Sequence, residues 1–209
     1  MTLFKITRVE SHPAEELLEK LRRVAMLLDP ESKPYAAATL SLVKLGYAEI
    51  WPTQRYVLSP NLYRAQWLEW ELSRFGHDSL GLEGYLTLWT DQSDEPTDLL
   101  PPILEKTVES DGSVHNLIND GAHRLYAGRL AHKLPTVVLA ENLPPNSPYY
   151  AYPLPGPDPW NAISILPGPA IPPDFIKKWH RTPDNKKLYR DFNSAFQNVG
   201  GPRGGGAAA

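Results

Sequence analysis

Apolar residues recur at helical spacing between Pro13 and Leu28. Leu17, Leu18, Leu21, Val24, Ala25 and Leu28 share one side, and Glu15, Glu16, Glu19, Lys20, Arg22 and Arg23 take the other faces. With Ser11 as N-cap and Asp29-Pro30 as the stop, this pattern predicts an amphipathic helix that docks on its own domain. Thr39 to Val57 leans towards β-structure, broken by Gly46 and by Trp51-Pro52. A second helix is predicted over Leu62 to Phe75, closed by Gly76, and its stripe of Tyr63, Trp67 and Trp70 is read as core rather than as a base-stacking surface.

Pro102 to Val108 and Ser113 to Asn119 read as two strands joined by Glu109-Ser110-Asp111-Gly112, a turn whose Asp-Gly pair signals a hairpin. The returning strand runs into Asp120-Gly121. Ala122 to His132 has helix-forming composition, Leu134-Pro135 ends that helix, and Thr136 to Ala140 is a short β-branched run suited to a buried strand. The order of hairpin, glycine turn, helix and strand predicts an α+β fold, with a small mixed β-sheet and flanking helices.

After Leu143 prolines become too frequent for regular structure, yet Tyr149, Tyr150, Tyr152 and Trp160 argue against a solvated linker. This stretch is expected to form an extended strap across the domain, followed by helices at Asp174 to His180 and Asp184 to Phe196. The predicted organisation is an N-terminal helical extension over 1–37, a central domain over 38–143, the strap and C-terminal helices over 144–200, and a flexible tail over 201–209.

Composition narrows the chemistry. The chain has 209 residues, 42% hydrophobic and 22% charged, with a net charge of −3, so no global field draws it to nucleic acid. There is no cysteine, which excludes a thiolate metal site and a cysteine nucleophile and fits a reducing, cytoplasmic setting. No apolar run is long enough for a bilayer, so no membrane partner is expected. His-Glu-x-x-His, Gly-x-Ser-x-Gly and Walker-type glycine motifs are all absent, and His115, His123 and His132 lack close ligand spacing.

The segment Asp120-Gly121-Ala122-His123-Arg124 carries the candidate chemistry. A glycine between strand and helix permits a sharp turn and close approach of a ligand. The first N–H groups of a helix are unpaired and lie at the positive end of its dipole, so an anion fits there. His123 and Arg124 in the first turn can add hydrogen bonds to phosphate oxygens. Asp120 would repel phosphate directly, but it can cap the helix, orient a hydroxyl or hold Mg²⁺.

The run Leu117 to Ala127 resembles the "(I/V)-x-D-G-x-H-R-x-x-A" signature of ParB-like (ParB/sulfiredoxin-type) domains. Other segments follow in the family's order. Trp51-Pro52-Thr53-Gln54-Arg55 resembles its "P-x-Q-P-R" segment and Leu62 to Gly76 the following helix. Leu100-Pro101-Pro102-Ile103 resembles a strand opening with "Q-P-I", and Leu134 to Val138 an "I-P-V" strand. The resemblance covers about half of the chain and implies a nucleotide- or DNA-related site at the motif turn.

Members of that family diverge. Partition-type proteins are CTP-dependent clamps with a helix-turn-helix, where this chain has the strap. Sulfiredoxin-type proteins need a cysteine where this chain has Ala122. Serine kinases of this superfold use a glutamate near the first strand; the matching position is Gln54, with Glu49 close by in sequence. The leading expectation is therefore a nucleotide (ATP/ADP or CTP) or phosphorylated small molecule held by Gly121, Ala122, His123, Arg124, Gln54 and Arg55. Phosphoryl transfer or NTP hydrolysis would draw on Asp120, His123, Arg124 and Glu49, with Mg²⁺ on Asp120. The alternatives are a DNA-binding or nuclease module, with Arg55, Arg64, Arg74, Arg124, Arg129 and Lys133 on one face, and a non-catalytic adaptor that binds a protein partner through the strap.

Overall fold

The computed structural model describes residues 4–168, 172–173 and 180–200. Its centre is a five-stranded mixed sheet of β3 (Thr39–Lys44), β10 (Thr136–Glu141), β8 (Ile103–Val108), β9 (Val114–Asp120) and β4 (Ile50–Trp51), in that spatial order. β8 and β9 form the expected hairpin, and β10 runs parallel to β8. Ile103, Leu104, Val137, Val138 and Ala140 are almost wholly buried, as short apolar β-branched runs in a covered sheet must be. The strand over Tyr56–Leu58, β5, lies before the helix α2 (Ser59–Ser73), which packs on α3 (Ala122–Leu130).

A second sheet stands beside the first. β1 (Ile6–Pro13), β6 (Gly84–Thr90) and β7 (Ser93–Leu99) form an antiparallel layer that the sequence pattern did not predict. β7 contains Asp94, Glu95, Pro96 and Asp98, residues poor in strand propensity. It stands as an edge strand, where proline is tolerated. Ser11, expected as a helix cap, pairs with Leu86 inside β1.

The N-terminal helix is correspondingly shorter. α1 spans Ala14–Leu21, with Pro13 at the N-cap position. Its Leu17 and Leu21 are buried beside Tyr85, Leu100, Ile103 and Val138. Val24, Ala25 and Met26 are also buried, but as a turn leading into β2 (Ala25–Met26), which pairs with β12 (Arg190–Asp191). The apolar periodicity to Val24 marks burial correctly, and tertiary pairing replaces the last turns of helix. Leu28 is 57% exposed.

Two further expectations are corrected. Asp184 to Phe196 is not one helix: 3₁₀ turns at Asn185–Leu188 and Phe192–Ser194 flank β12. Strand pairing with β2 and a buried ion pair of Arg190 hold this stretch extended at its middle. The α2 aromatic stripe is not core, since Tyr63 and Trp70 are 63% and 52% exposed while α2 buries Leu62, Ala65 and Leu72 instead. The helix expected over Asp174 to His180 lies outside the described residues except for His180, which bridges to Ala151, and the tail over 201–209 lies outside them as well.

The proline-rich stretch runs extended against the domain. Trp51 Nε1 donates to the Leu154 carbonyl at 2.7 Å, and Leu154 N–H donates back to Pro52 at 3.1 Å. Trp160 inserts its buried ring and donates from Nε1 to the carbonyls of Tyr47 and Ile50. β11 (Ser164–Leu166) then adds to β5 in parallel. The aromatics that distinguished this segment from a linker are its anchors.

Candidate functional site

The motif turn is built by the sheet. β9 carries one extra residue, Asn119, opposite the step from Ile103 to Leu104, so the register shifts where the chain leaves the hairpin. Such a bulge re-aims the following side chains. Gly121 adopts φ 88°, and an added Cβ would lie 2.9 Å from Pro102 Cβ, so conformation and space both require glycine. Leu125 N–H makes a helical bond to the Gly121 carbonyl at 2.9 Å. The amides of Ala122, His123 and Arg124 precede it at the open end of α3.

This turn lines a cavity of about 390 Å³. The structure brings Asp120, Gly121, Ala122, His123, Arg124 and Gln54 together on its wall. The remaining wall comes from elements that the motif does not include. α2 contributes Asn61, Arg64, Ala65 and Leu68, the second sheet contributes Leu88, Thr97 and Leu99, and Val199 closes the C-terminal side. The Gln197 carbonyl accepts from Asp98 N–H at 2.7 Å and Gln197 N–H donates to the Asp98 carboxylate at 3.0 Å, which seats Val199 there.

Glu49 and Arg55 are not among the lining residues. The Glu49 carboxylate accepts from Gly46 N–H at 3.0 Å and closes a local turn. The Arg55 carbonyl accepts from Ser164 N–H, in the seam between β5 and β11. Asn61, Ala65 and Leu68, for which the sequence raised no expectation, and Arg64, expected only on a DNA-binding face, fall at i, i+3, i+4 and i+7. They form one face of α2, a periodicity that was legible once that face had something to line.

Arg124 is already engaged by the fold. Its guanidinium donates to the Leu100 carbonyl at 2.6 Å and to Asp120 Oδ2 at 3.2 Å, with a longer contact to the Ser79 carbonyl at 3.5 Å. The side chain is 10% exposed. Burial lowers its pKa and the Asp120 carboxylate beside it opposes that shift. Asp120 therefore serves Arg124 first. Among the described residues no three of His, Asp or Glu converge as a metal-ligand set.

His123 is neutral by construction. Its Nε2 accepts a hydrogen bond from Leu58 N–H at 3.1 Å, which leaves Nδ1 as the protonated nitrogen. Burial lowers its pKa below the ordinary 6.5, with Asp120 opposing. As pH falls below about 6.5 the unfolded chain takes this proton before the folded one, so stability falls until the lowered folded pKa is passed. The urea midpoint should drop between about pH 7 and pH 5 and drop less in His123→Gln; equal slopes in the two proteins would refute this. His180, whose pKa burial also lowers, contributes in the same direction to both proteins and cancels in the comparison.

Behind the turn, Asn119 donates to the Glu105 carboxylate and to Tyr35 Oη, which ties the site to the ion pair of Arg190. From the other side Tyr149 Oη donates to the Ile118 carbonyl at 2.7 Å. The strap and the C-terminal segment thus fix the strand that presents Asp120.

No curated protein and no solved structure matches the chain. Among the described residues no helix is long and apolar enough to cross a membrane. The family model for the ParB CE domain matches residues 16–164, more than half of the chain, from within α1 through the five-stranded sheet, the motif turn and the strap as far as the start of β11. The chain belongs to the ParB CE domain family.

Proposed function

We propose that the protein binds a nucleotide or another phosphate-bearing ligand in this cavity, with the phosphate at the amino end of α3. The observation that carries the reading is the cavity wall itself. It places the left-handed Gly121, the open amides of α3 and the neutral His123 side by side, facing a space of about 390 Å³. A helix amino end offers about half a positive charge, and a glycine turn allows the phosphate to approach the backbone closely. His123 can donate from Nδ1 without titration near neutral pH.

Binding is better supported than phosphoryl transfer. Transfer depends on positioned charge and on a group that orients the nucleophile. Glu49 does not line the cavity, and Asp120 is engaged by Arg124. Mg²⁺ brought in with ATP, ADP or CTP would have to share that carboxylate with the guanidinium. The DNA reading loses support because Arg74, Arg124, Arg129 and Lys133 each pair with a carboxylate, namely Glu71, Asp120, Asp158, and Glu69 with Asp78.

A thermal-shift series with AMP, ADP, ATP, CTP and GTP, with and without Mg²⁺, tests the proposal. A ligand at 100 times its dissociation constant stabilises by about 2.7 kcal/mol, a readily seen shift. Thr97 pairs with Leu88 across β6 and β7, and both line the cavity, so Thr97→Trp fills the space from an edge strand. At least one nucleotide should raise the wild-type midpoint and leave Thr97→Trp unmoved. No response to any nucleotide, or an equal response in the variant, would refute the assignment.

A further inference from the structure

We infer that the cavity selects a phosphate monoester with an apolar or aromatic body, and that Arg64, not Arg124, is the guanidinium that neutralises the phosphate. This rests on the reading that a phosphate occupies the amino end of α3, and it adds which cation meets the ligand and how much charge the site accepts.

The two arginines on the cavity wall differ in availability. Arg124 is held by the Leu100 carbonyl and the Asp120 carboxylate, and its side chain is largely buried. Arg64 is exposed at the cavity wall, and its guanidinium makes no hydrogen bond or ion pair among the described residues. The side-chain amide of Asn61, one turn earlier on the same face of α2, likewise has no hydrogen bond among the described residues and can add a donor or an acceptor. A planar guanidinium with five free N–H donors matches phosphate oxygens two at a time.

The charge balance limits the ligand. Four side chains on the wall carry formal charge: Arg64, Arg124, Asp98 and Asp120. Asp120 and Arg124 offset each other. The Asp98 oxygens accept from Thr87 Oγ1 at 2.7 Å and from Gln197 N–H at 3.0 Å, with Lys20 Nζ at 3.8 Å. What remains is the single charge of Arg64 and about half a charge from α3. That sum suits a phosphate monoester, which carries about −1.5 to −2 near neutral pH. The further phosphates of a triphosphate add charge that no other lining side chain offsets. Across the cavity Phe4, Leu68, Leu88, Leu99 and Val199 supply an apolar wall for the body of the ligand. The volume of about 390 Å³ lies in the range of small-molecule sites.

Calorimetric titration of the full chain with AMP, phenyl phosphate, inorganic phosphate, adenosine and metal-free ATP decides the matter, using wild type, Arg64→Ala, Arg64→Lys and Thr97→Trp. AMP or phenyl phosphate should bind more tightly than inorganic phosphate, adenosine or ATP. Arg64→Ala should weaken that binding about ten- to a hundredfold, with the unliganded melting temperature unchanged, and Arg64→Lys should recover part of it. If Arg64→Ala binds as wild type while Thr97→Trp does not, the role of Arg64 fails and the phosphate cavity stands. If ATP without metal binds more tightly than AMP, the charge-matching inference fails. If no probe binds wild type, or if Thr97→Trp binds as wild type, both readings fall.

Discussion

Arg190→Ala should destabilise the fold by about 3–5 kcal/mol, the cost of leaving a buried carboxylate without its partner, and should lower the urea midpoint accordingly. Arg190 and Glu105 form a two-pronged pair, with Nε to Oε1 at 2.9 Å and Nη2 to Oε2 at 2.8 Å. Their side chains are 0% and 1% exposed. The guanidinium also donates to the carbonyls of Leu188 and Ser147, and Tyr35 Oη donates to Glu105. One carboxylate on the central strand therefore joins the C-terminal segment, the strap and the loop before β3. Burial, and then the Glu105 carboxylate, push the Tyr35 hydroxyl well above its ordinary 10.0, so Tyr35 remains a donor throughout the working pH range. Glu105→Leu combined with Arg190→Met should recover most of the loss, because a buried apolar pair avoids the desolvation of two charges. A single Arg190→Ala within about 1 kcal/mol of wild type would refute the role given to the pair.

Arg124→Ala should cost about 2–4 kcal/mol in the same assay, with or without ligand. The substitution empties a buried volume, orphans the Leu100 carbonyl and leaves Asp120 without its countercharge. Arg124→Lys should not rescue it, since one ammonium cannot reproduce the planar fork that reaches both partners. The consequence for binding experiments is direct. Loss of ligand response in Arg124→Ala reports collapse of the turn, whereas loss in Arg64→Ala with unchanged stability reports loss of a contact. An Arg124→Ala protein as stable as wild type would show that the guanidinium is held for a ligand rather than for the fold.

Local patterns carried much of the architecture. The Asp-Gly turn between β8 and β9, the β-branched run of β10, and the glycine between strand and helix each follow from short-range sterics that a few residues determine. The α+β order and the place of the motif turn were legible for that reason. The second sheet was not, because the acidic, proline-bearing β7 has no strand propensity of its own and exists through pairing with β6. Asp184 to Phe196 misled in the opposite way. Leu188, Phe192 and Phe196 have helical spacing, but Arg190 among them satisfies a carboxylate 85 residues away.

Backbone conformation at Gly121 and helix polarity are local properties, so the strand-turn-helix with its open amides was legible from a few residues. Packing over the whole chain governs which side chains line the candidate cavity. It removed Arg124 into the wall, set Glu49 outside the cavity, and brought an α2 face, the second sheet and Val199 to complete it. The availability of a guanidinium depends on carbonyls and carboxylates distant in the chain. Packing therefore settles what spacing along the chain cannot.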